Sequence, residues 1–197
     1  MRVRTVQSLV LLAAIFLVPS SSFAANYKVD PAHSKIGFKV KHLGISYVGG
    51  AFNNYDAEFT FDPNKIEQAN AKASIKVKSV DTDNKKRDDH LRSPDFFDAK
   101  DHPVMSFVSK EIKNVNGKNF TVVGDLTMNG ITLPVTLDAV YKGTVTDPWG
   151  NEKAAFTAET TINRKDFGLK WNKLLETGGL VVGEEVLVSL DIQGVKQ

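Results

Sequence analysis

The sequence predicts an all-β protein whose strands run antiparallel. Two observations carry this. Apolar and polar residues alternate along most of the chain beyond residue 24, and short turn signals separate the alternating runs. A third observation predicts a short helical insert: one stretch, from Asp83 to Asp101, has no alternation at all.

The elements follow in order. Ser34 to Val40 reads SKIGFKV and sets Lys35 and Lys39 against Ile36, Phe38 and Val40. Tyr55 to Phe61 puts Tyr55, Ala57, Phe59 and Phe61 on one face. Ala71 to Ser79 sets Lys72, Lys76 and Lys78 opposite Ala71, Ala73, Ile75 and Val77. Phe120 to Met128, Leu133 to Tyr141, Phe156 to Ile162 and Val186 to Ile192 alternate likewise. A period of two means half-buried strands. The count is about eight, each long enough to cross a barrel or a sandwich.

The turns agree with the strands. Asn129-Gly130 lies between two alternating runs, a two-residue hairpin signal. Counting outward by twos from Met128 and Ile131 gives Leu126 and Gly124 on one strand, Leu133 and Val135 on the other, all non-polar. Asn116-Gly117 leaves two registers open. With Phe120 pointing in, a two-residue loop turns Lys113 and Glu111 inward, whereas a three-residue loop turns Ile112 and Val108 inward. Met105 and Phe107 then face out, unless a bulge intervenes. Asp62-Pro63 and Asp147-Pro148-Trp149-Gly150 mark further turns. In the insert, Asp83 is the expected cap of a helix running to about Leu91. Ser93-Pro94 reads as a second helical start. Two short helical pieces are so placed that they could close one end of a barrel.

Such a chain closes as a barrel or packs as two sheets. Ala57, Ala71, Ala73, Ser79, Gly124, Ala139 and Ala158 fall on the inferred apolar faces. Small residues there either leave room for a ligand or merely fit the taper of a small barrel.

The N-terminus reads as an export signal. Arg2 and Arg4 precede an apolar run from Leu9 to Val18, and Ser22-Phe23-Ala24 fits cleavage after Ala24. The apolar run is too short to span a bilayer, which takes roughly 20 residues. Removing 24 residues from 197 leaves 173, the size of one domain or at most two. No internal repeat or linker divides it, so residues 25–197 are expected to form a single domain. The two signal arginines carry the whole formal charge of +2, so the mature chain is neutral. Neutrality argues against a nucleic-acid partner. Cysteine is absent, which removes disulfides and thiolate chemistry. No G-x-S-x-G elbow, H-E-x-x-H pair or phosphate-cradling glycine loop occurs. His33, His42, His90 and His102 show no paired metal-ligand spacing. An enzyme is not expected, and neither is a metal or a cofactor.

Several blocks of the mature chain resemble the YceI family of exported bacterial proteins. They are Asp30 to Val40 (DPAHSKIGFKV) with His42-Leu43-Gly44 and Gly50-Ala51-Phe52, and Ser79 to Phe97 (SVDTDNKKRDDHLRSPDFF). Val123 to Leu137 (VGDLTMNGITLPVTL), Asp147 to Gly150 (DPWG), and Arg164 to Leu169 (RKDFGL) with Val181 to Val188 complete the set. Each block is weak alone, but their order and spacing are specific. The resemblance implies a single antiparallel eight-stranded lipocalin-like β-barrel with a short helical insert. It implies an apolar channel for an isoprenoid quinone or prenyl phosphate, with fatty acids or fatty amides as the alternative cargo. It also implies a periplasmic location, homodimers in some members, and no established catalytic residue. Transient contact with a membrane is compatible with it. Trp171-Asn172-Lys173, after the RKDFGL block, receives no assigned contact.

Inward parity names the candidate channel lining: Phe38, Phe59, Phe61, Leu126, Leu133 and Val188. The insert is the candidate mouth, with Arg87, Asp88, His90 and Arg92 beside Leu91, Phe96 and Phe97. Arginine and histidine suit a phosphate or a quinone oxygen. The plainer reading pairs Asp88 with Arg92 along the helix and uses Phe96 and Phe97 as a plug. His42 continues the inward parity of Phe38 and Val40, as a buried, hydrogen-bonded histidine or a head-group contact. The function expected is that of a periplasmic carrier or reservoir for a long-chain isoprenoid lipid. An enzyme acting on such a lipid through His42 or His90 is the rival reading.

Overall fold

A computed structural model describes residues 24–174 and 179–197. Of the expected signal segment, all but Ala24 lies outside the described residues. Eleven strands form one sheet: β1 (Ala25–Val29), β2 (Lys35–His42), β3 (Ser46–Phe52), β4 (Tyr55–Phe61), β5 (Asn70–Lys76), β6 (Val80–Asp81), β7 (Val104–Asn116), β8 (Asn119–Met128), β9 (Ile131–Thr146), β10 (Glu152–Asn163) and β11 (Val182–Lys196). The ring runs β1-β4-β5-β7-β8-β9-β10-β11 and closes by pairing of β11 with β1. It is a closed eight-stranded antiparallel barrel.

The three remaining segments continue strands of the ring. β11 pairs with β1 through Val29↔Gly194 and then with β2 through Ile36↔Leu190. β3 pairs with β2 as β4 pairs with β1, and β6 pairs with β3 as β5 pairs with β4. Three long strands are therefore each broken once. The first break follows from Pro31, which has no N–H to give to the ladder. Asp30 caps the short turn there by accepting from the Ala32 N–H at 3.0 Å. Ser34 repairs the ladder with its side chain: its Oγ accepts from the Gln193 N–H at 2.9 Å.

The Asn129-Gly130 hairpin has positive φ at both central residues, +51° and +73°, as a type I′ turn requires. Its register pairs Met128 with Ile131, Leu126 with Leu133 and Gly124 with Val135. The open question at Asn116-Gly117 resolves through a bulge. Asn116 pairs with Asn119 across a two-residue loop, and the register shifts between Ser109 and Glu111 and again between Lys113 and Asn116. The first shift reverses the side-chain parity of β7. Phe107 and Ser109 before it and Ile112 after it therefore all face the interior.

The insert contains one helix, α1 (Lys85–Leu91). Its cap is Asn84, whose side chain accepts from the Arg87 N–H at 3.1 Å. The expected cap, Asp83, instead takes the left-handed conformation at φ +59°. The expected second helix at Ser93-Pro94 is a run of turns. Ser93 Oγ donates back to the His90 carbonyl at 2.7 Å, and Asp98 at φ +45° stops any helical continuation.

Arg164 joins the far end of β10 to β11. It is 3% exposed and donates to the carbonyls of Gly183 at 2.8 Å, Trp171 at 2.9 Å, Leu169 and Val182. Burial pushes its guanidinium pKa down from the usual arginine value. Asn172 adds a second tie: its side chain donates to the Val182 carbonyl at 2.7 Å and accepts from the Val182 N–H at 3.1 Å. The Trp171-Asn172 stretch, left without contacts by the sequence reading, is thus anchored on both sides. Replacing Arg164→Met should strand these carbonyls and cost about 2–4 kcal/mol. Urea unfolding should show a lower midpoint at an unchanged m value.

Candidate functional site: an apolar chamber inside the barrel

A cavity of about 230 Å³ lies within the ring. Its origin is in the strand register. Ala57 pairs with Ala73 across β4 and β5, and Ala139 pairs with Ala158 across β9 and β10. The two strand pairs stand on opposite sides of the eight-membered ring. Both walls therefore stop at Cβ at these pairs, and all four alanines line the space between. Close packing elsewhere in the barrel makes such a gap a local feature.

Aromatic rings narrow the end farther from the insert. Phe59 stacks on Tyr27 with ring centroids 5.0 Å apart and meets Phe156 edge-on at 5.2 Å. Phe61 packs on Phe156 and Tyr141, each at 4.8 Å. Tyr27 donates to Glu152 at 2.7 Å. Burial, then this carboxylate, raises the Tyr27 pKa, while the same bond lowers that of Glu152. Two glycines admit rings to the wall. A Cβ on Gly124 would stand 2.5 Å from the Phe107 ring, and one on Gly194 would stand 2.5 Å from that of Phe59.

Most polar residues of the lining lie on β4, β5 and β7, namely Glu58, Thr60, Asn70, Lys72 and Ser109, with Thr160 on β10. There the β5–β7 ladder ends, at Lys72↔Val108. One residue further, the Ala71 N–H donates to the Ser109 side chain at 2.8 Å instead of to a backbone carbonyl. This edge is the rim of the chamber.

Of the residues expected at the site, Phe59, Phe61, Leu126 and Val188 line the chamber. Phe38 and Leu133 pack against the buried cluster at the insert end, with Phe38 5.7 Å from Phe52. His42 ends β2, half-buried and opposite Ser46 and Val182, away from the chamber. The insert residues do not line the chamber; they seal its end. Phe96 and Phe97 are buried with Phe52, Val80 and Met105, and Leu91 packs against them. Arg87 Nε donates to Thr82 Oγ1 at 2.7 Å and its terminal nitrogen to the Thr82 carbonyl at 2.6 Å. His90 meets Asp95 at 2.9 Å and packs edge-on against Phe96 and Trp171.

Two expectations need correction. Asp88 does not pair with Arg92: it is 6% exposed and accepts from the Thr82 N–H at 3.0 Å and from the Thr82 hydroxyl. Arg92 reaches the Val80 carbonyl at 2.6 Å and the Asp89 carboxylate at 3.2 Å. Ser79, counted among the small inward residues, sits in the Val77–Ser79 turn and donates to the Lys76 carbonyl at 2.7 Å. That turn breaks the alternation that placed it inside. Sequence reasoning also left out Tyr55, Phe107, Ile112, Phe120 and Phe156, which all line the chamber. Alternation already set Tyr55, Phe120 and Phe156 on apolar faces, whereas Phe107 and Ile112 depended on the bulge.

A closed antiparallel barrel around a largely apolar chamber, sealed at one end by an insert, defines a lipocalin-like architecture. Within that class the chain belongs to the YceI-like domain family, whose model matches residues 27–194. It is 40% identical over 186 residues to a UPF0312 protein of Photorhabdus laumondii, with 93% of each chain covered. A UPF0312 protein of Pseudomonas aeruginosa is 39% identical over 196 residues, with 98% of each chain covered. Among solved structures, BcnA of Burkholderia cenocepacia superposes with a TM-score of 0.74 at 29% identity, covering 84% of this chain and 98% of that one. The YceI protein of Campylobacter jejuni superposes at 0.67 with 32% identity, covering 85% and 96%. A polyisoprenoid-binding domain from Saccharophagus degradans shares the fold, with a TM-score of 0.64 at 13% identity, covering 89% and 100%.

Removing the buried acceptor with Asp88→Ala should cost about 1–3 kcal/mol, because the Thr82 amide and hydroxyl lose their partner. Hydrogen-exchange mass spectrometry should show faster exchange in residues 84–101, with the β8–β9 hairpin unchanged.

Proposed function

We propose that the protein binds a long-chain lipid in the chamber and carries or stores it in the periplasm, with an isoprenoid as the leading cargo. The enclosed apolar chamber is the observation that carries this reading. Each buried CH₂ contributes about 0.8 kcal/mol, so an apolar chain binds there without any polar contact. Family membership supports the reading, and so does the polyisoprenoid-binding name of the Saccharophagus degradans neighbour. The chamber's 230 Å³ is less than the ~300–1,000 Å³ of sites that enclose drug-sized ligands. An isoprenoid of many units would fill it and continue outward past the Asn70 and Ser109 rim. Fatty acids or fatty amides are the second reading, and the modest volume favours them for a cargo held wholly inside. The basic, apolar and small-residue regions before Ala25 support export and cleavage. The role is binding, and loading requires transient contact with a membrane, where such lipids reside.

Protein purified from its own cell envelope should release a stoichiometric lipid into organic solvent, read by mass spectrometry. A lipid-free protein would overturn the carrier reading. Filling the chamber with Ala73→Phe and Ala139→Phe together should abolish lipid retention while circular dichroism stays that of a β-barrel. Retention by a folded double variant would move the binding site elsewhere.

A further inference from the structure

Tyr55 lines the chamber and is 7% exposed. Its hydroxyl oxygen is buried and has no hydrogen-bond partner among the described residues. A buried hydroxyl without a partner has lost its water contacts and gained nothing in return, so the fold carries an unmet demand at this point. Phenylalanine would pack in the same place without that cost.

The position of Tyr55 gives the demand a direction. Tyr55 begins β4 and pairs with Ile75, next to Phe52 and the sealed insert end. The rim lies at the other end of the same strand pair, where Thr60 faces Asn70. Five residues separate Tyr55 from Thr60, roughly 17 Å at ~3.4 Å per residue. Between them the inward side chains are Ala57, Phe59, Ala71 and Ala73, while Glu58 and Lys72 pair with each other on the outer face.

Taking the chamber as the ligand site proposed above, we propose that the Tyr55 hydroxyl is a buried anchor that donates a hydrogen bond to an oxygen of the ligand. The ligand then carries a carbonyl, carboxyl or hydroxyl oxygen at its innermost point, and its chain runs from Tyr55 toward the rim. Burial raises the Tyr55 pKa, with a smaller effect of the Asp30 charge, so the hydroxyl keeps its proton and acts as a donor. The anchor selects a long apolar chain with one polar oxygen over a plain hydrocarbon.

The test compares methyl tridecyl ketone with pentadecane, each displacing a fluorescent apolar probe from delipidated wild-type protein and from Tyr55→Phe. The ketone should lose about five-fold in affinity in the variant, equivalent to about 1 kcal/mol. Pentadecane affinity should stay within about two-fold, so the ketone-to-alkane ratio falls. An equal change for both probes would show that the hydroxyl serves only a water or the wall, and would overturn the anchor while leaving lipid binding standing. Failure of wild-type protein to bind either probe would remove the proposed function and the anchor together. Ligand-free Tyr55→Phe should be as stable as wild type or more so. A clear loss of stability would mean that the hydroxyl already holds a bond in the empty protein, which also overturns the anchor.

Discussion

The interior of this barrel depends on two cross-strand pairs in which both members are alanine. A ring of eight strands fixes its own bore, and ordinary aliphatic side chains from facing walls fill it. Ala57 with Ala73 and Ala139 with Ala158 occupy opposite arcs of the ring. Their short side chains leave the centre open, while the rings of Phe61, Phe120 and Phe156 narrow one end and the insert closes the other. The space is an outcome of register. A one-residue slip of β4 against β5 would turn Ala57 and Phe59 outward and bring Glu58 and Thr60 in.

That register has to hold even though three of the eight strands are broken. The polar side chains near the breaks do the holding. Ser34 supplies an acceptor where Pro31 disrupts the ladder. Thr82, just past the short β6, is gripped by Asp88 and Arg87 from the helix. Arg164 gathers four carbonyls from both sides of the loop between β10 and β11. These groups could have been read as a ligand's phosphate site, since arginine and a buried aspartate near a cavity suggest one. The hydrogen-bond inventory decides otherwise: Arg87, Asp88 and Arg92 all bond backbone or side-chain groups of residues 78–89, and the plug they fasten is apolar.

Much of this was legible in the sequence. Alternation identifies one face of a strand directly, so β2, β4, β5 and β8 to β11, the Asn129-Gly130 register and the inward alanines follow from it, whereas β1, β3 and the two-residue β6 were not read. Phe59, Phe61, Leu126 and Val188 could be placed for the same reason. Parity fails wherever the chain gains a residue or turns. The bulge beside Lys110 hides the inward orientation of Ile112 relative to Phe107, and the Val77–Ser79 turn takes Ser79 out of the pattern. The insert is harder still, because a seven-residue helix followed by turns has no period long enough to reveal which side chains meet. Whether Asp88 faces Arg92 or Thr82 depends on how the helix docks, and docking is a tertiary fact. Trp171 and Asn172 share that difficulty: their partners are His90, 81 positions away in sequence, and Val182, 10 positions away.

The same distinction explains why Tyr55 passed as an ordinary strand residue. Its alternation with Ala57 and Phe59 marks it as inward, and an inward tyrosine is unremarkable if its hydroxyl finds a partner. Most interior tyrosines reach a carbonyl or a carboxylate, as Tyr27 reaches Glu152 at 2.7 Å. Tyr27 and Tyr55 sit on neighbouring strands of one barrel, and both have raised pKa values with burial as the leading cause. Only Tyr27 is satisfied within the described chain. A barrel that needed Tyr55 for its apolar ring alone would be better served by phenylalanine, which occupies the other aromatic positions of the chamber wall at Phe59, Phe61, Phe107, Phe120 and Phe156. The one aromatic hydroxyl in that wall stands beside the sealed end. This asymmetry gives an otherwise uniform apolar space an inner end that differs chemically from its rim.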